Sequence, residues 1–288
     1  MPSLKEIKQR ISSVTSTRQV TSAMKMVSAA KLQKAQQWIL NARPYSDELD
    51  KILLSLATRT RRDVHPLLRE ANPEDVKSIA IIVVTADKGL CGAFNVNIIK
   101  KTEQVIKNHK NKNIELICVG KKGGTYFKKR GHTVREEYID FFNKLKFDHS
   151  RDIMNLVTSS FLEGRYDQIL IVYNEFKSAI QQNVVEKQLL PLHELEKTDD
   201  RFLASYLFEP EETALLEELI KKHLDVQIWR VLLESSSAEQ GARMAAMDAA
   251  TDNADEMIKD LTLEYHHKRQ DKITKEIIEV ASTAEVIR

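Results

Sequence analysis

Proline and glycine are scarce in this chain, 6 and 8 of 288 residues, and residues 211–288 contain no proline and one glycine, Gly241. Nothing there forces a helix to break. At 1.5 Å per residue the stretch reads as one helix of about 115 Å, several times the width of an ordinary domain, and therefore as an arm rather than a core element. Aromatics are only 6% of the chain, which together with so few glycines speaks against an all-β plan with many tight turns. The two cysteines, Cys91 and Cys118, have no CxxC spacing and sit among apolar residues, so they read as buried thiols rather than a bridge or zinc ligands. No apolar run approaches the roughly 18 to 20 residues of a membrane span, and Met1-Pro2-Ser3-Leu4-Lys5 lacks the apolar core of a signal peptide. The expectation is a soluble protein made in the cytoplasm.

What is present is apolar periodicity at helical spacing. Glu209-Pro210-Glu211-Glu212-Thr213 opens the last arm with proline near its first turn and carboxylates at the positive end of the helix dipole. Leu215, Leu219, Val226, Trp229 and Leu233 begin a stripe, Met244, Met247, Ala254, Ile258, Leu261 and Tyr265 continue it, and Ile273, Ile277, Val280, Ala284 and Ile287 end it. A second helical pattern covers residues 3–58, opened by a capping box in Ser3-Leu4-Lys5-Glu6. Leu4, Ile7, Ile11 and Val14, then Leu32, Ala35, Ile39 and Ala42, fit heptad positions a and d. Between them the same frame gives Arg18, Thr21, Lys25 and Ser28, while Val20, Met24 and Val27 drift to another face. Pro44 is expected to kink this helix near Arg43. Residues 1–62 hold 12 basic and 4 acidic side chains (+8) and residues 211–288 hold 10 and 17 (−7), a bias toward pairing of the two ends.

Between the arms the period changes. Residues 78–85 (SIAIIVVT) form a near-continuous β-branched run like a buried parallel strand, followed by a helix over 96–108. Strands are expected at 114–119, 133–138, 168–174 and 179–190, the second and last as edges, with helices at 125–130 and 148–163. This alternation implies a doubly wound α/β (Rossmann-like) sheet. The expected organisation is a first long helix over 1–60, an α/β domain over 74–192, a connector over 193–210 and a second long helix over 211–288. One chain satisfies both stripes by folding the helices into an antiparallel coiled coil, which leaves the last 20 to 25 residues of the longer helix without a partner from this chain.

Candidate chemistry is thin. Asp87-Lys88-Gly89-Leu90-Cys91-Gly92-Ala93-Phe94-Asn95 follows a strand and precedes a helix, where nucleotide folds place a phosphate loop, but it has neither GxGxxG nor a closing Gly-Lys-Ser/Thr. It reads as a tight turn with close backbone packing. His266 and His267 point about 100° apart on a helix, so they read as solvated or interface groups rather than joint metal ligands. The basic first helix has only Trp38 and Tyr45 as aromatics among its spread cations, which favours an acidic protein partner over nucleic acid. A nucleotide-dependent enzyme with helical arms and a coiled-coil scaffold or nucleic-acid binder remain the alternatives.

Four blocks carry a resemblance over the whole chain: Ser16-Thr17-Arg18-Gln19-Val20-Thr21-Ser22-Ala23-Met24-Lys25-Met26-Val27, Arg43-Pro44-Tyr45, Asp87-Lys88-Gly89-Leu90-Cys91-Gly92, and the long run from Ala238-Glu239-Gln240-Gly241-Ala242-Arg243 to Asp252-Asn253-Ala254. They resemble the γ subunits of F-type ATP synthases, of bacterial type. The resemblance implies a non-catalytic central rotor whose paired terminal helices stand inside a hexagon of α and β subunits, with its base on ε and the membrane ring of c subunits. No cofactor and no metal are implied, catalysis is expected on β, and the membrane is met only through the c-ring, at the cytoplasmic face of the cell membrane. Met24, Arg243 and Gln270 match positions facing α and β, Ile273, Ile277 and Val280 are expected in an apolar sleeve around the tip, and Tyr206, Phe208 and Glu209 are expected to face the c-ring and ε. The chain departs from the family's usual Tyr-Asn in Tyr265-His266-His267-Lys268-Arg269-Gln270, and near its end has Thr283 where the family usually has glycine.

Overall fold

The computed structural model describes residues 3–59, 66–68, 75–178, 181–192 and 212–286. Its elements run α1 (Leu4–Arg59), a 3-10 turn (Pro66–Leu68), β1 (Ser78–Val84), α2 (Phe94–Asn108), β2 (Asn113–Val119), α3 (Lys121–Lys129), β3 (Val134–Tyr138), a second 3-10 turn (Phe141–Asn143), α4 (Phe147–Leu162), β4 (Gln168–Phe176), β5 (Gln182–Leu190) and α5 (Glu212–Val286). Two units result, one of residues 1–28 with 244–288 and one of residues 29–243.

The larger unit is built on a five-stranded sheet in the order β3-β2-β1-β4-β5. β1, β2, β3 and β4 are parallel, and β5 closes one edge antiparallel to β4. Alternation along β1 explains the layering. Ala80, Ile82 and Val84 face α4 residues Ile153, Met154 and Val157 and α5 residues Ile220, Leu224, Ile228 and Val231. Ile79, Ile81 and Val83 face α2 residues Phe94, Ile98 and Val105 and α3 residue Phe127. Helices therefore cover both faces, the doubly wound plan that alternating strands and helices imply.

α3 begins four residues earlier than its apolar pattern suggests, because its first three N–H groups are satisfied from the end of β1. Lys121 N–H donates to Asp87 Oδ1 at 3.0 Å, Lys122 N–H to Ala86 O at 3.1 Å and Gly123 N–H to Thr85 Oγ1 at 2.9 Å. Close approach there requires glycine: Gly120 has φ of 94°, and a Cβ on it would lie 2.1 Å from Thr85 O.

In the smaller unit the N-terminal part of α1 and the C-terminal part of α5 pair antiparallel. Thr21 and Thr251 hydroxyls meet at 2.8 Å, and Arg18–Asp255 and Lys25–Asp248 form ion pairs on either side. Thr21 and Ser28, placed by the heptad frame in the seam, are buried, whereas Val20 and Val27 are more than half exposed. α1 continues as a helix through Pro44.

Candidate functional site

Two places were open to function, the crevice at the carboxyl end of the sheet and the long helices. In open α/β sheets a ligand enters beside the strand where successive connections leave in opposite directions, which here is beyond β1 and β4. α5 runs past that point. Burial, and then the carboxylate of Glu234 on α5, push the Tyr173 hydroxyl of β4 well above its ordinary pKa; Ala238 is buried in one cluster with Phe94, and Arg243 donates from Nη2 to Gly89 O at 3.3 Å. Arg243 is also paired through Nη1 with Glu239 Oε1 at 2.6 Å, and both side chains are about nine-tenths buried.

The loop after β1 is closed from within as well. Ala86 N–H donates to Asn95 Oδ1 at 2.9 Å, and Asn95 Nδ2 reaches Lys88 O at 3.4 Å and Cys91 Sγ at 3.2 Å. Asp87 already holds the N–H of Lys121 at the start of α3, where a phosphate would otherwise find a donor. The turn thus packs as closely as its sequence suggests. Cys91 and Cys118 are free and buried, and burial pushes the Cys118 thiol up to about 12 and raises that of Cys91.

An open groove of about 570 Å³ lies elsewhere in the larger unit, lined by Trp38, Asn41, Ala42, Leu145, Lys146, Phe147, Asp148 and Trp229. It offers one carboxylate, one amine and one amide, with no nucleophile beside a base. Among the described residues no group of three or more His, Cys, Asp or Glu is placed to hold a metal ion, and no helix is long and apolar enough to cross a membrane.

The long helices present apolar side chains that the described residues leave exposed. Met26 is 72% exposed, Met24 is half-buried beside it, and Met257 and Leu263 are exposed on α5. From Arg269 to Ser282 every side chain is exposed, including Gln270, Ile273, Ile277, Ile278 and Val280. His266 and His267 are exposed too. Arg243, by contrast, is buried and engaged by Glu239 and Gly89. Tyr206, Phe208 and Glu209 lie outside the described residues, as do Ile287 and the side chain of Ala284. Glu239 appears in the sequence only as part of the fourth block, with no role of its own; its one local signal is the i,i+4 spacing to Arg243.

A five-stranded α/β domain in one unit, and a pair of antiparallel helices with exposed apolar side chains in the other, define a mixed α/β protein with long terminal helices. Residues 3–287 match the family model described as ATP synthase. Over its full length the chain is 43% identical to the ATP synthase gamma chain of Chlorobaculum parvum and 45% identical to that of Chlorobaculum tepidum, covering all of each. In fold it is similar to a chain of the Euglena gracilis mitochondrial ATP synthase (OSCP/F1/c-ring), with TM-score 0.72, 20% identity and coverage of 99% of this chain and 94% of that one. It is also similar to a chain of the Tetrahymena thermophila mitochondrial ATP synthase central stalk/c-ring, with TM-score 0.62, 24% identity and coverage of 80% and 99%. The chain belongs to the ATP synthase gamma chain family.

Proposed function

We propose that this chain is the central rotor of a proton-translocating F-type ATP synthase, coupling rotation of the c-ring to ATP synthesis and hydrolysis at an α/β hexamer, with the catalytic sites on β. The carrying observation is full-length identity of 43–45% to ATP synthase gamma chains, in a chain whose paired helices keep apolar faces open along α1 and at the end of α5. The physics of the shaft supports it. A rod whose faces differ makes unequal contacts with the sites around it, and each orientation then favours a different state of each site. Transmission requires the two helices not to slip. The part-buried Thr21–Thr251 bond, flanked by Arg18–Asp255 and Lys25–Asp248, fixes one register in the stretch where the heptad frame gives polar or small residues.

In this reading Met24, Gln270, Ile273, Ile277 and Val280 meet α and β, and Tyr206, Phe208 and Glu209 meet the c-ring and ε. Arg243 contacts β while held by Glu239. The complex sits at the cytoplasmic face of the cell membrane, and this subunit reaches the membrane only through the c-ring. Reconstitution tests the reading: α and β with this chain are expected to co-purify as one complex that hydrolyses ATP, while the chain alone neither binds nor hydrolyses it. Stoichiometric nucleotide binding by the isolated chain, or no association with α and β, would overturn it.

A further inference from the structure

Leu90 is an odd residue to find where it is. It lies at the crest of the loop between β1 and α2, 65% exposed, with φ of 61°. A branched side chain on a left-handed backbone is sterically penalised, and such conformations persist where the surroundings over-determine them. Gly92, two residues on, takes the same hand at φ of 57° without cost. What holds the leucine lies beneath the loop. Arg243 places one arm of its guanidinium on Glu239 and the other on the carbonyl of Gly89, the residue next to Leu90. That geometry needs a planar fork with two separate donors, which lysine does not have.

The charged groups around the Glu239 carboxylate are Arg243 on α5, Asp87 on the loop and Lys31 on α1. Burial pushes this carboxyl up in spite of the guanidinium's pull. An ion pair removed from water in this way is a poor source of net stability and a good source of fixed geometry. Asp87 anchors one flank of the loop to α3, and Asn95 anchors the other. The middle of the loop is tied down by Arg243.

We propose that Glu239 and Arg243 form a latch that holds residues 87–92 in their left-handed presentation of Leu90 and ties that loop to α5, with Glu239 a positioning residue acting through Arg243. The latch belongs to the chain by itself and does not depend on the assembly described above. Its consequence is that the loop and the helix move together.

The chain supplies its own reporters. Cys91 is 2% exposed within the latched loop, and Cys118 is fully buried on β2 in the sheet. The experiment follows maleimide labelling of the native full-length chain, with each cysteine resolved by peptide mass spectrometry. Glu239→Gln and Arg243→Lys are expected to speed labelling of Cys91 about tenfold or more, the loss of one charge-assisted hydrogen bond, with Cys118 unchanged. Leu90→Asn, which tolerates the left-handed region, is expected to restore protection in the Arg243→Lys background. Unchanged Cys91 labelling in both variants, acceleration of both cysteines together, or no restoration by Leu90→Asn would overturn the proposal. If either latch variant fails to fold, Leu90→Asn in the otherwise unaltered chain decides: Cys91 labelling about fivefold slower supports the latch, and an unchanged or faster rate overturns it.

Discussion

Deleting residues 277–288 separates an arm that stabilises this chain from one that serves an assembly. In the chain alone, Ile277, Ile278 and Val280 are 63%, 60% and 70% exposed. Fully burying an aliphatic side chain is worth about 1.5 to 3 kcal/mol. Covering the exposed two thirds of each gives roughly 1 to 2 kcal/mol per residue, or about 3 to 6 kcal/mol for the three, before the cost of ordering them. None of this is realised in the isolated chain, where those groups touch water. The deletion is therefore expected to leave the thermal unfolding midpoint of the free chain unchanged while the complex with α and β inactivates at lower temperature. A greasy contact suits a turning part, since apolar attraction has no preferred direction and fixed ion pairs would have to break at each step. Rotation and hydrolysis should persist at reduced rate. A truncated complex as heat-stable as the intact one refutes the sleeve, and a complex that assembles fully but does not turn over shows that the tip transmits force instead.

Gly120→Ala forces a Cβ to within 2.1 Å of a backbone oxygen at positive φ, and is expected to destabilise the chain in urea by about 3 kcal/mol or more; a loss below about 1 kcal/mol refutes the close packing. Arg165 and then Tyr166 hydrogen-bond Glu115 and hold its carboxyl below the ordinary 4.5. Stability from a lowered carboxylate pKa is present above the unfolded value and lost as pH falls through the folded one. The stability gap between the native chain and Glu115→Gln should thus be full at pH 7 and close below about 4.5, as urea melts across pH would reveal. Replacing Lys25 and Asp248 together by leucine removes a half-exposed pair whose attraction solvent largely screens, so stability should hold or rise while register loosens; cysteines placed at 21 and 251 should cross-link cleanly in the parent and in mixed registers in the variant. Tyr206→Ala with Phe208→Ala should weaken coupling of proton flow to ATP turnover and spare hydrolysis by the soluble part, and equal loss of both activities would count against a ring-facing role.

The shaft was legible because helical periodicity is a local signal. The heptad frame that placed Thr21 and Ser28 in the seam and turned Val20 and Val27 outward needed only spacing, and the buried positions follow it. The sheet was legible for the same reason, since Ile79 to Val84 announce a strand covered on both faces. Where the signal is tertiary, sequence was silent. α3 starts at Lys121 because Thr85, Ala86 and Asp87 accept its first N–H groups across the sheet. Arg243 looks like a free cation on a helix until Glu239 and the carbonyl of Gly89, 154 positions away, are found beside it. Short spacing brought Glu239 and Arg243 together, but nothing local tells of the loop above them.

Rotation itself is the most direct test of the central claim. The α/β hexamer is fixed to a surface, a bead is attached to the α/β base of this chain, and ATP is added under a microscope. The expected result is sustained turning of the bead in one direction that stops when ATP is exhausted. A bead that shows only thermal motion while the same complexes hydrolyse ATP would contradict it.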